Sequence, residues 1–389
     1  MEIINLEFFP VSIPYTHREV SSRINRDGVT DIVVKAVTDT GLVGWGESCS
    51  GANVESVSEA LRAMAPFVMG SSPWESERIR EELWWRGVWL WRQPTASFAY
   101  AGIDMALWDI CGKACGQPLY NLFGGKVREG VNYFYYLSQA PPQKLAEQCR
   151  DGLQKGYRVF YLKVGIDIEA ELEMVRTIRE TIGPNNKIRL DANTAWTVNE
   201  AIRNLARLDA YHIDFIEQPV PQEPLSNMQE VRSRCPIAIS ANEGLWTAHD
   251  AYRQITSRTA DVYCFSPYFT GSLSQFQRLC RVAELESLQV CLHTHGSFGI
   301  ASAAGHHILL TLPNVVDGNQ QTAYMMQDDI LAAPIPIASG PDWGAPQGPG
   351  LGIEVDEAKL EKYHELYRSR GQFVPYDPKL IGAELFGAG

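Results

Sequence analysis

The chain has 389 residues, 45% hydrophobic and 21% charged, which excludes a largely disordered chain. At ~150 residues per domain this is two to three domains' worth. The 46 acidic against 34 basic residues leave a net charge of -12, which argues against a broad nucleic-acid or anionic-membrane surface.

No apolar run reaches the ~18 residues of a membrane span. Residues 1–5 lack the basic-then-apolar pattern of a secretory leader. The cysteines (49, 111, 115, 149, 235, 264, 280 and 291) form no CxxC pair. They are expected to be reduced core thiols of a cytoplasmic protein.

Residues 1–56 read as strands and hairpins. The run 31–39 is strand-like, Asp39-Thr40-Gly41 supplies a turn, and 42–47 returns. Residues 57–123 read as helical, with apolar spacing of three and four over 99–109. The expectation is an α+β unit over 1–125, completed by the tail at about 357–389. The segment 84–92 is rich in tryptophan, which fits either an aromatic pocket wall or packing between domains or subunits.

After Gly124-Gly125, short apolar runs alternate with helical segments. The runs are 131–137, 158–164, 187–190, 213–216, 237–240, 261–265, 289–292 and 314–316. The helical segments include 142–155, 168–182, 197–208 and 272–287. Eight strand-helix units predict an α/β fold, a parallel TIM-like barrel over 126–356. A doubly wound sheet would carry a glycine-rich turn after its first strand, and none follows 131–137. The segment 340–352 reads as a loop.

Barrel chemistry sits at the C-terminal strand ends. Those positions hold Lys163, Asp191, Glu217, Glu243, Ser266 and His293, spaced 23 to 28 residues apart. Three carboxylates at one rim would repel each other, and a divalent cation removes the conflict. All-oxygen ligation favours Mg²⁺ or Mn²⁺ on Asp191, Glu217 and Glu243. Lys163 precedes the trio and His293 follows it, so the two would face each other across the ion. A nearby cation can lower a lysine pKa enough to make a base. His295 would point the same way as His293. Either Tyr133 and Tyr135, or Phe134 and Tyr136, point into the barrel, and Tyr135 is a candidate substrate contact. His306 and His307 read as structural residues of the next helix. Base, metal and acid together imply a carboxylic acid substrate with an α-hydrogen.

At these residues the sequence resembles the enolase superfamily, mandelate racemase/muconate lactonizing enzyme type. The motifs are Leu162-Lys163-Val164-Gly165, Leu190-Asp191-Ala192-Asn193, Ile216-Glu217-Gln218-Pro219, Asn242-Glu243 and Pro349-Gly350-Leu351-Gly352, with the helix 103–109. The resemblance implies an α+β capping domain on a (β/α)7β barrel and one Mg²⁺ per subunit on Asp191, Glu217 and Glu243. Cap loops around 14–28 and 46–53 would close over the substrate. Lys163 matches the second lysine of a Lys-x-Lys motif, His293 the histidine of a His-Asp dyad, and Asn193 a contact beside the metal. The family commonly forms homo-oligomers.

Four positions depart from the pattern. Tyr161 stands where the first lysine is usual, Ser266 where a dyad aspartate or a lysine is expected, and Asn242 where aspartate is common. Asn319 stands near the final-strand glutamate. Without a carboxylate partner His293 is a weak base, which favours an acid role for it or for Tyr161. The expected activity is a lyase of the acid-sugar dehydratase kind. The alternatives are an isomerase (cycloisomerase, epimerase or racemase) or an inert metal- and ligand-binding homologue.

Overall fold

A computed structural model describes residues 1–51, 53–87, 94–335 and 338–374, with 338 and 339 described by backbone alone. The N-terminal unit is an antiparallel meander of β1 (Ile3–Val20), β2 (Asn25–Thr38) and β3 (Val43–Cys49). The turn before β3 is closed by Thr38 N–H donating to Leu42 O, with Gly41 at φ 82°. That is left-handed backbone, which glycine adopts without strain.

Helices α1 (Val54–Val68), α2 (Ser76–Arg86), α3 (Thr95–Cys115) and α4 (Leu119–Leu122) follow. α3 is buried on almost every face, as its all-round apolar sequence requires. Gly44 and Gly46 of β3 lie flat on α3, where an added Cβ would strike the backbone of Ala106 and Gly102. Trp84 packs edge-on against Tyr100, whereas Trp85 is 84% exposed. Val88 to Arg92 of the predicted tryptophan-rich segment lie outside the described residues.

The predicted first barrel run, 131–137, is two strands. β4 (Gly130–Asn132) pairs antiparallel with β13 (Asp342–Gly344), which itself pairs with β12 (Ala338–Ser339). The 340–352 segment is therefore not all loop. Only β5 (Tyr135–Leu137) enters the barrel. Next in the parallel sheet come β6 (Val159–Lys163), β7 (Lys187–Asp191), β8 (Phe215–Glu217), β9 (Ala238–Ala241), β10 (Val262–Phe265) and β11 (Gln289–Leu292). The eighth run is reduced to two parallel bridges, Val290 with Val315 and Tyr133 with Asn319, which close the barrel. Pro313 lacks a donor and Gly318 turns left-handed at φ 70°, so no longer ladder forms.

Helices α5 (Pro142–Gln154), α6 (Ile168–Ile182), α7 (Val198–Leu208), α8 (Ser226–Arg234), α9 (Ala248–Thr256), the short α10 (Pro267–Thr270), α11 (Leu273–Leu285) and α12 (Gly299–Leu310) intervene. Their starts are set by local chemistry. Asp167 caps α6 through Glu169 N–H and Ala170 N–H, and a Thr197–Glu200 capping box opens α7. Among the described residues no helix is long and apolar enough to cross a membrane.

The first unit and the barrel meet through buried acids. Glu47 of β3 accepts from Phe298 and Ala301 N–H at the start of α12. Asp104 of α3 accepts from Leu273 N–H at the start of α11. Asp109 accepts from Leu351 N–H at 2.9 Å, so the Pro-Gly-Leu-Gly motif clasps α3. α13 (Glu357–Arg370) lies on β1, with His364 Nδ1 2.7 Å from Pro10 O. Residues 375–389 of the predicted tail lie outside the described residues.

Candidate active site

Three neighbouring strand ends are in direct register, Lys163 with Asp191 and Asp191 with Glu217. Side chains at equivalent positions on adjacent parallel strands point to the same side of the sheet. Lys163 Nζ lies 2.6 Å from Asp191 Oδ2 and 2.9 Å from Asn193 Oδ1. The Tyr161 hydroxyl donates to the same Asp191 oxygen at 2.6 Å, and Asn193 N–H donates to Asp191 Oδ1 at 2.8 Å. Asn193 Nδ2 donates to Glu243 Oε1 at 3.2 Å. The chain leaves β7 and β8 through left-handed residues, Asn193 (φ 44°), Thr194 (φ 64°) and Gln218 (φ 38°). Such backbone is sparsely populated for non-glycine residues and collects at functional sites.

Burial, Asp191 and Glu243 push the Glu217 carboxyl well above its ordinary value. Burial and Asp191 raise Glu243 to about 7. Burial opposes the Lys163 ammonium, but Asp191, Glu19 and Glu217 outweigh it and hold its pKa above that of a free lysine. In this arrangement the lysine is the counter-cation of the acids. Burial and Asp191 also raise the Tyr161 phenol well above its usual value. Its hydroxyl is committed to Asp191 in this arrangement.

The donor chemistry of the trio fits a hard divalent cation. All candidate donors are carboxylate oxygens, and Glu217 Oε1 and Glu243 Oε2 are buried without a hydrogen-bond partner. Among the described residues no three acidic, histidine or cysteine side chains form a ready-made cage. Asp191 engages both oxygens with Lys163, Tyr161 and Asn193.

A cavity of about 280 Å³ lies over this cluster. Lys163, Asn193, Glu243, His293, His295 and Gln320 are all in its lining. The His293 ring stacks on Phe269 at 5.4 Å and stands edge-on to His295 at 4.6 Å. Its Nδ1 has no partner. Burial, His295 and Lys163 hold its pKa well below the ordinary value, and no carboxylate supports it. His295 lines the cavity as expected, although β11 ends before it.

Three expected contacts are elsewhere. Ser266 is fully buried and its Oγ caps α10 by accepting from Tyr268 N–H. Tyr135 points outward, donating to Asp151 and stacking on Tyr324 at 5.2 Å, while Phe134 and Tyr136 line the cavity. Asn319 closes the barrel: its Oδ1 accepts from Leu292 N–H and its Nδ2 donates to Val316 O. The neighbouring Gln320 reaches the site instead, donating from Nε2 to Glu217 Oε2 at 2.9 Å. His306 and His307 are structural, bonded to Gly344 O and Leu351 O.

The first unit completes the walls through Glu19, Ile24, Arg26, Asp31 and Phe98. Arg26 pairs with Glu19 at 2.7 Å and donates to His295 O. The connection between β1 and β2 touches the other rim, with Arg23 Nε donating to Asn193 O at 2.7 Å. Gln320, Glu19, Arg26, Trp246 and Phe269 carried no periodic signal in the sequence. For Glu19 and Arg26 the only pointer was their place in a predicted closing loop.

Residues 144–359 match an enolase C-terminal domain-like family, and residues 16–124 match the N-terminal domain of mandelate racemase / muconate lactonizing enzyme. N-succinyl-L-Arg/Lys racemase of Bacillus cereus is 28% identical, over 93% of this chain and 98% of the relative. A solved structure of that racemase superposes with a TM-score of 0.86 at 27% identity, covering 93% of this chain and 98% of the other. Arabinonate dehydratase of Saccharolobus solfataricus is 26% identical, over 85% of this chain and 90% of the relative. Relatives of both reaction classes thus match most of this chain's length. A TIM-like barrel under an N-terminal capping domain, with both family models matched in order, places this chain in the enolase superfamily, mandelate racemase/muconate lactonizing enzyme type.

Proposed function

We propose that the protein is a Mg²⁺-dependent lyase. It removes the proton α to a carboxylate and expels a β-hydroxyl as water from a small hydroxy acid of the sugar-acid kind. The observation that carries this reading is that Lys163 and His293 line one cavity, with acids beside the lysine and no carboxylate acting on the histidine.

Asp191, Glu217 and Glu243 would hold one Mg²⁺ per subunit, with Mn²⁺ as a substitute. When bound, the ion supplies positive charge beside the substrate carboxylate, which lowers the cost of losing the α-proton. Lys163 can serve as a base only when another cation satisfies Asp191, because at 2.6 Å that carboxylate otherwise retains its proton. Tyr161 and Asn193 keep Asp191 in place. Asn193 also presents its amide between Lys163 and Glu243.

His293 is a poor acceptor of a carbon proton because nothing anionic supports its imidazolium. Once an anionic substrate fills the cavity and favours the imidazolium, that cation holds the proton a leaving hydroxyl needs. Phe98, Trp246 and Phe269 give the cavity an apolar stretch of lining. The test is incubation with a panel of sugar acids and Mg²⁺, followed by mass spectrometry. A keto acid lighter by one water supports the lyase.

The second reading is an isomerase. It is favoured by the racemase relative and by the presence of two basic side chains, Lys163 and His293, in the lining of one cavity. A substrate-mass product carrying solvent deuterium at the α-carbon would select it instead.

A further inference from the structure

Glu217 is held asymmetrically. Its Oε2 accepts from Gln320 Nε2 at 2.9 Å, and the Cys264 thiol donates to the same oxygen at 3.8 Å. Its Oε1 is buried with no partner. Gln320 is only 5% exposed, and its own Oε1 accepts from Thr294 N–H at 3.2 Å. Thr294 is the residue between His293 and His295.

The chemistry of both neighbours fixes the amide orientation. A carboxylate can only accept and a backbone N–H can only donate, so the Gln320 nitrogen must face Glu217 and its oxygen must face Thr294. The Gln320 backbone N–H also donates to Leu292 O at 3.0 Å, which anchors the residue to the end of β11. One buried side chain therefore spans from the acid on β8 to the histidine-bearing turn after β11.

From this geometry we infer that Gln320 is a positioning residue that couples the two halves of the site. It immobilises one oxygen of Glu217, leaving the other as the oxygen free for a cation, and it ties the backbone of the His293–His295 turn to that same carboxylate. A cation taken up at Glu217 is then felt at His293 through Gln320. The inference rests on the reading of Glu217 as a metal ligand. A shorter or apolar side chain would break both hydrogen bonds at once, and the loss of a single hydrogen-bonding partner behind a metal ligand typically costs 10- to 100-fold in metal affinity.

The test uses the full chain without substrate. Calorimetry gives the Mg²⁺ dissociation constant, and NMR follows the imidazole nitrogens of His293 during the Mg²⁺ titration. Gln320→Met keeps the length and removes both polar ends. It is expected to weaken Mg²⁺ binding roughly 10-fold and to abolish the Mg²⁺-dependent shift of His293, with the melting temperature reported alongside. Gln320→Asn, withdrawn by one methylene but still an amide, is the second variant if the first does not fold, with the same two losses expected.

A Mg²⁺ dissociation constant within about twofold of wild type, with the His293 response intact, overturns the inference alone. Absence of Mg²⁺ binding to the wild type overturns the functional reading and the inference with it. A purely structural role would lower the melting temperature without uncoupling His293 from the ion.

Discussion

At Lys163 the ammonium lies between Asp191 and Asn193, and its aim is set by two hydrogen bonds rather than by packing. Lys163→Ala should therefore leave the fold intact and reduce α-proton removal by about 100- to 10,000-fold, the usual range for a lost general base. His293→Ala should separate the steps. Water loss falls by a similar factor while α-hydrogen exchange persists, read by NMR in D₂O; equal loss of both would contradict its acid role. The five residues central to this scheme were legible because each follows an apolar strand at a near-constant period. Ser266, Tyr135 and Asn319 were misread for one physical reason. Where a strand ends, a shift of a single residue turns a side chain from the cavity to the wall, and the sequence does not mark that point. Gln320 beside Asn319 shows the size of the error.

Among the elements, α3 and β3 carry the contact between cap and barrel. Gly46 lies so close to Gly102 that Gly46→Ala must push the helix off the sheet. An overpacking cost of about 3 kcal/mol or more is expected from urea denaturation. The buried acids of these elements make stability depend on pH. Burial raises Asp104 from 3.8 to about 8 and Glu47 from 4.5 to about 7. Folding therefore tightens their hold on a proton. The stability they contribute is fully present below the unfolded values and is lost as pH rises through about 7 to 8. Asp104→Asn keeps an acceptor for Leu273 N–H and removes the titration, so it should flatten the fall in melting temperature between pH 4 and pH 8. An unchanged slope would show that Asp104 is ionised in the folded protein. The helices were readable from apolar spacing and caps. The splitting of 131–137 was not, because it depends on Asp342–Gly344, a partner about 200 residues away.

On the scale of the whole molecule, the cap and the barrel each supply part of the cavity wall, so access depends on how they close. The connection between β1 and β2 reaches the barrel rim through Arg23 to Asn193 O and Ser22 to Ala192 O. Arg23→Ala should raise KM several-fold with a smaller change in kcat, since it loosens closure without touching Lys163 or His293. A proportional fall in kcat instead would assign Arg23 to the chemistry. The sequence read as a barrel because eight runs recur along it. The resemblance pointed to cap loops over the cavity, but not to which of their side chains line it, because that arises only when segments more than a hundred residues apart meet.

The central claim is that Lys163 takes a carbon-bound proton only when a hard cation relieves Asp191 of its pairing. NMR in D₂O over a panel of hydroxy acids, with wild type and Lys163→Ala and with Mg²⁺ or EDTA, tests it most directly. Loss or exchange of the α-hydrogen is predicted for the wild type with Mg²⁺ and for neither control. Turnover that survives EDTA, or that proceeds equally in Lys163→Ala, would contradict the account.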